Sequence, residues 1–211
     1  QRAAQQLIPA AIPDIGGRAF GCLTGSVYIH RMISDSVVPT RAASWFRAWA
    51  ILLALLLFGL ALRPAAHVYD MPMTEDGYYA LAVAKNVAAG AGITIDGTHL
   101  TNGFQPLFTF LQAVAFRLAG GDEVFALRLV MALGFLFHLG GAILVALIAR
   151  DAWPARFGAG ERAARFWLAA LLYLASPLML NHAYNGLETG CVMFFYAACG
   201  RWLQTGRDAS W

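Results

Sequence analysis

WAILLALLLFGLAL, residues 49–62, runs fourteen positions without a charge. In hydrocarbon every backbone N–H and C=O must be satisfied within the protein, which a helix does inside one segment. About 20 apolar residues in that form cross a core about 30 Å thick. Trp45, Phe46 and Arg47 before the run and Arg63 after it are the aromatic and cationic anchors that extend it to a span of 46–63. The same features describe a signal peptide, with Pro64-Ala65-Ala66 as its cleavage region. Further apolar segments downstream favour a retained anchor.

Those segments are Phe125 to Ala149, Phe166 to Leu180 and Cys191 to Leu203. With their flanks they predict spans over 125–149, 166–183 and 190–204. Phe104 to Ala119 is shorter and carries Gln105, Thr109, Gln112 and Arg117, with Pro106 suited to a first helical turn. It reads as a helix lying in the membrane surface. The expected fold is an all-α membrane protein of about four transmembrane helices, with a large first extracytoplasmic loop, 63–124, containing interfacial helices.

Composition agrees with a lipid solvent. The chain is 59% hydrophobic and 13% charged, where soluble domains carry about a quarter of charged residues. The net charge of +3 comes from dispersed Arg and the single Lys85, without the clustered basic face that nucleic-acid binding requires. Cys22, Cys191 and Cys199 lack metal-ligand spacing. Cys191 and Cys199, eight residues apart on one helix, stand about 12 Å apart, too far for a disulfide. Residues 1–44 mix Gly, Pro, Ala and isolated charges without periodicity and read as a poorly ordered tail. Met32 marks a possible natural start, which would make 1–31 translated upstream sequence. The module proper is 45–205, and 206–211 is a truncated end.

Arg150, Arg156, Arg162 and Arg165 crowd one connector, which the positive-inside bias places in the cytoplasm with Arg41, Arg47, Arg201 and Arg207. That holds only if 104–119 does not cross. The loop 63–124 and the turn from Asn181 to Thr189 then lie outside.

In the outer loop Thr74-Glu75-Asp76-Gly77-Tyr78-Tyr79 opens a helical run ending at Gly90. Thr74 is an N-cap candidate, and two acids in a first turn suit the helix dipole. The same acids can act as a general base or hold a cation. Asp96-Gly97 and Thr101-Asn102-Gly103 bring turn chemistry, so the loop is compact.

The ordered series Glu75-Asp76-Gly77-Tyr78-Tyr79, Ala84-Lys85-Asn86, Gly90-Ala91-Gly92, Asp96-Gly97, Thr101-Asn102-Gly103-Phe104-Gln105-Pro106-Leu107, Ala126-Leu127-Arg128-Leu129, Ser176-Pro177 and Asn185-Gly186-Leu187-Glu188-Thr189 resembles bacterial GT-C glycosyltransferases. Protein mannosyltransferases and aminoarabinose-type lipid glycosyltransferases are among them. Their His-Pro-Pro-Leu-like element stands here as Gln105-Pro106-Leu107. The resemblance implies the N-terminal module of a longer enzyme of the bacterial cytoplasmic (inner) membrane. Such an enzyme transfers a sugar, with inversion, from a polyprenyl-phosphate donor to a lipid, glycan or protein acceptor on the outer face. It assigns catalysis to Asp76 or Glu75, and substrate binding to Glu188, Tyr78, Tyr79, Lys85, Asn102, Gln105 and Arg128. Asp76 and Glu188 are its candidates for holding Mg2+ or Mn2+, with Glu188 approaching the first-loop acid from a later turn. Arg63 and Arg117 are further candidates for the donor phosphate, or headgroup anchors in contact with membrane lipids.

Bland readings stand beside these. His138 within a span suits a helix-helix hydrogen bond; Tyr78 and Tyr79 suit interfacial anchoring; His67, His99 and His182 lack ligand spacing. The alternative function is a non-catalytic membrane subunit or transporter fragment. Transporters place ionisable groups within their spans, whereas here the acids lie in the loop. The topology is checked by single-cysteine labelling with an impermeant reagent in a background lacking native Cys. Position 96 should react from outside intact cells, whereas a cysteine at position 158 should react only after permeabilisation.

Overall fold

A computed structural model describes residues 40–69, 73–152 and 158–206. Among these, regular structure is helical apart from one isolated antiparallel bridge between Thr94 and Leu100. The helices are α1 (Thr40–Gly59), continued by a 3-10 turn at Leu60–Leu62, then α2 (Glu75–Ala89), α3 (Pro106–Ala119), α4 (Glu123–Asp151), α5 (Ala159–Leu174), α6 (Pro177–Tyr184) and α7 (Thr189–Gly206). The reading of 1–39 as a disordered tail, and Met32 and Cys22 with it, falls outside the described residues, as do 207–211.

Among the described residues two helices are long and apolar enough to cross a membrane, Arg41–Leu62 and Glu123–Asp151. The second, with 29 residues, is about 44 Å long and exceeds the hydrocarbon core at its ends. α1 begins at Thr40, earlier than the span expected from 46, with Ser44 Oγ donating to the Arg41 carbonyl. It exposes Trp45, Trp49, Leu52, Leu55, Leu56 and Leu62, as a helix facing lipid does.

The span expected over 166–183 is broken. α5 and α6 meet at an angle of 60°, and they count as a third crossing only as one bent span. Pro177 supplies no N–H and pushes Ser176 into an extended conformation, where its hydroxyl accepts from Met179 N–H and starts α6 anew. The fourth expected span, α7, has 18 residues, about 27 Å of helix. It falls outside the set long and apolar enough to cross.

α1 and α5 run in one direction, α4 and α7 in the other, so the described unit has two distinct ends. At one, Arg201 pairs with Asp151 at 2.8 Å and Gln204 donates to the Ile148 carbonyl at 3.2 Å. Arg47 and Gly160 border one hollow there. Arg41, Arg47, Arg150, Arg162, Arg165 and Arg201 all belong to this basic end, against the acids Asp151 and Glu161. At the other end Arg128 Nη2 donates to the Arg63 carbonyl at 3.1 Å, and the buried Tyr184 hydroxyl donates to the Leu57 carbonyl at 2.9 Å. Leu57 lies near the end of α1, where carbonyls lack full intrahelical partners.

The core between these ends is made of Leu57, Val68, Leu81, Leu127, Val130, Met131, Phe135 and Leu174 with small residues between them. Gly134 of α4 lets the Ala183 carbonyl approach so closely that a Cβ there would sit under 3.0 Å from it. His138 is buried in α4 beside the Tyr173 ring at 5.2 Å, with its Nε2 unpartnered.

Gly77, in the first turn of α2, gives the sharpest packing test. A Cβ there would lie under 3.0 Å from the Asn185 carbonyl oxygen, whereas a Cβ at Gly59 meets nothing within 4 Å. Alanine gains about 1 kcal/mol of helix propensity over glycine, but overpacking typically costs about 1 to 3 kcal/mol, and here it also displaces a hydrogen-bonded backbone. Gly77→Ala should therefore lower the thermal unfolding midpoint in detergent. Gly59→Ala should leave it unchanged or raise it.

Candidate functional site

The chemistry-bearing residues of the loop are placed by the start of α2. Thr74 is its N-cap: the hydroxyl accepts from Gly77 N–H at 3.2 Å and donates to the Asn185 carbonyl at 3.0 Å. Thr74 N–H donates to the same carbonyl at 3.2 Å. Gln112, fully buried on α3, donates from Nε2 to the Gly186 carbonyl at 2.8 Å. Gly186 adopts φ +84°, a left-handed conformation that a side chain would strain. A Cβ on it would lie 2.9 Å from Gly77 Cα. The turn between α6 and α7 is thus fastened to α2 and α3 through backbone groups.

This fastening brings the acids to one end of the bundle. Glu75 and Asp76 are exposed, and their carboxylates carry no side-chain partner among the described residues. Chain connectivity through the Gly77–Gly186 crossing holds the Cα atoms of Asp76 and Glu188 within about 16 Å. Glu188 is half-buried, and its Oε2 is buried without a hydrogen-bond partner. A buried carboxylate oxygen lacking a partner is costly. Among the described residues no group of three or more His, Cys, Asp or Glu gathers to hold a metal.

The remaining expected site residues divide. Lys85 pairs with Glu123 at 2.5 Å, fastening α2 to the start of α4. Both are more than half exposed, so the pair contributes little stability, but the cation is engaged away from the acids. Arg117 reaches the Ala88 carbonyl at 3.5 Å. Tyr78 donates its hydroxyl to the Tyr69 carbonyl, and Tyr79 shares a hydrogen bond of 2.7 Å with Thr101. Both rings therefore hold the loop. Asn102 is exposed beside Thr101, and Gln105 is the N-cap of α3 without a side-chain capping bond. Arg128 is half-buried, with Nε unpartnered.

The rest of the loop is self-supporting. Asn86 Nδ2 donates to the Thr94 and Ile95 carbonyls at 3.0 and 2.8 Å. Asp96 accepts from the backbone N–H groups of His99 and Thr98 and bonds the His99 ring at 2.7 Å. The His99 backbone bond, then its ring, hold the Asp96 carboxyl well below the usual carboxylate range. A depressed carboxyl favours the folded turn above its ordinary pKa, and that contribution fades only as pH falls through the lowered value. Thr74 is the N-cap that the sequence predicts, but the contacts of Thr74, Gly77 and Gln112 with Asn185 and Gly186 are not foreseen in it. Their signals were a glycine in a first helical turn and a glutamine on an apolar face.

α3 lies beside this end with two different faces. Phe108, Thr109, Gln112 and Ala115 are buried, while Leu107, Phe110, Val114 and Leu118 form an exposed apolar stripe at helical spacing. With 14 residues it is about 21 Å long, too short to cross. No family model, curated protein or solved structure matches this chain.

Proposed function

We propose that this chain is the N-terminal module of a polytopic glycosyltransferase of the GT-C kind, which transfers a sugar from a polyprenyl-phosphate donor to an acceptor at the extracytoplasmic membrane surface. The observation that carries the reading is the fastening of the Glu75-Asp76 helix start to the Glu188 turn. It joins two loops distant in sequence, which in this reading stand at the membrane level where a lipid-linked donor presents its phosphate. In this reading α7 and the bent α5–α6 pair complete four crossings. α3 lies in the interface on its Leu107, Phe110, Val114 and Leu118 stripe. The basic end faces the cytoplasm of a bacterial inner membrane.

Asp76 accepts the proton of the acceptor hydroxyl as its oxygen attacks the anomeric carbon from the face opposite the phosphate. The bond from that carbon to the phosphate oxygen breaks, and polyprenyl phosphate departs with the electron pair. Glu75, the adjacent acid, projects about 100° away and is the second candidate for the base. Arg128, half-buried at the same end, offers the guanidinium for the departing phosphate. Asp76 and Glu188 would be the carboxylates to hold Mg2+ or Mn2+, an ion that rests on one or two carboxylates together with substrate phosphate and water. When bound it would offset charge on the phosphate. The unpartnered Glu188 Oε2 suits that role.

In the full-length protein, Asp76→Asn should lower transfer by about 10² to 10⁴-fold, the usual contribution of a general base. Membrane insertion and helix content should stay unchanged, because the capping of α2 belongs to Thr74. The measurement is transfer of radiolabelled sugar from a polyprenyl-phosphate donor in membranes. Near-normal turnover would remove Asp76 from the reaction and shift the role to Glu75, to be checked with Glu75→Gln.

A further inference from the structure

The basic end of the described bundle opens into an apolar groove that the transfer reaction does not use. Between α1, α4 and α5 it encloses about 480 Å³, walled by side chains such as Leu55, Phe58, Leu139, Ile143, Trp167 and Leu174. That volume is in the range of ligand pockets, roughly 300 to 1,000 Å³. Two separate hollows adjoin it towards the basic end, one beside Arg47 and Gly160, the other beside Arg150 and Arg162. Trp167 borders all three spaces, and Ala163 borders both hollows.

The cations at the rim divide into engaged and available. Arg150 and Arg201 both pair with Asp151, at 2.7 and 2.8 Å, and Arg165 pairs with Glu161 at 2.8 Å. Arg47 and Arg162 have no side-chain hydrogen bond or ion pair among the described residues. α5 starts at the same place, with Gly158 as an N-cap that makes no side-chain bond. Its first N–H groups and the positive end of its dipole therefore add to the field of the two guanidinium groups. The one acid in that first turn, Glu161, is held by Arg165.

A slot walled by hydrocarbon, with guanidinium groups unpaired among the described residues in the hollows that adjoin it, matches an amphipath with an aliphatic chain and an anionic phosphate. We propose that this end of the bundle binds an anionic phospholipid of the adjoining leaflet, its chain beside Trp167 and its phosphate between Arg47 and Arg162. A zwitterionic phospholipid brings its own cation to the same place and is disfavoured. The inference rests on the membrane-spanning character of the chain and not on the transferase reading. Juxtamembrane cations each favour anionic lipid measurably, and two of them amount to a preference of about tenfold or more.

The purified chain, offered phosphatidylglycerol and phosphatidylcholine of matched chains at equal amounts, is released from micelles and its lipid adducts are compared by native mass spectrometry. Phosphatidylglycerol should be retained about tenfold over phosphatidylcholine. The preference should largely disappear in the Arg47→Gln, Arg162→Gln double variant and persist in the Arg47→Lys, Arg162→Lys variant. Equal retention by the unaltered chain, or a preference surviving in the glutamine variant, would overturn the proposal. Displacement of the lipid by millimolar inorganic phosphate would also overturn it, identifying an anion site without a lipid. Should the glutamine variant fail to fold, fluorescence quenching by chain-brominated phosphatidylglycerol decides. Quenching should exceed that by brominated phosphatidylcholine in the unaltered chain and lose the excess in Trp167→Phe. The absence of any such difference sinks the proposal.

Discussion

The close approach of Gly77 to the Asn185–Gly186 backbone is the constraint on which the arrangement of the outer end depends. Two polypeptide segments 108 residues apart in sequence come within a distance that no side chain on either glycine permits. Once they are that close, Thr74 and Gln112 reach the carbonyls of Asn185 and Gly186. Each bond contributes only about 1 kcal/mol net. Their larger effect is on geometry, because Gln112 is fully buried and its Nε2 would otherwise lack a partner. The arrangement tolerates little slippage: a shift of α2 by one residue would put Asp76 or Tyr78 where Gly77 now sits.

The break between α5 and α6 serves the same end. A straight helix through 159–184 would carry the chain away from the loop along the axis of α5. The 60° bend at Ser176-Pro177 instead directs α6 across the top of α4, where Gly134 admits the Ala183 carbonyl and Tyr184 reaches Leu57. The turn after α6 is then delivered to α2. The cost of the bend is small, since Ser176 caps the new helix and proline at its first position gives up an N–H that would lack an intrahelical partner anyway.

Much of this was legible in the sequence, and the reasons are local. The uncharged run at 49–62 and the long apolar run after Phe125 are read correctly as helices because hydrocarbon burial leaves no other economical backbone. Thr74 and Pro106 mark helix starts through capping and proline geometry that act within four residues. The bend and the shortness of α7 were less visible: an apolar average over 166–183 hides a proline, and Arg201 and Gln204 lower the polarity contrast along α7. At the site, residue type singled out Glu75 and Asp76 as candidates, and the family resemblance added Glu188. Neither could show that Lys85 is engaged by Glu123, or that Tyr78 and Tyr79 hold the loop, because those partners lie 9 to 38 residues away.

The two readings of the acid pair, a structural helix start or a reactive carboxylate, separate on what each requires. A structural role needs an acceptor for the free N–H groups of the first turn, and Thr74 already provides one for Gly77 N–H. What remains to Glu75 and Asp76 is the interaction with the helix dipole, about 0.3 to 1 kcal/mol for an exposed charge, which asks for no particular neighbour. Yet the neighbours are specific. A backbone crossing stiff enough to exclude a single methyl group brings them a half-buried Glu188 with an unpartnered oxygen. In the proposed reading, a ligand carrying positive charge or a transferable proton would answer that unpartnered oxygen.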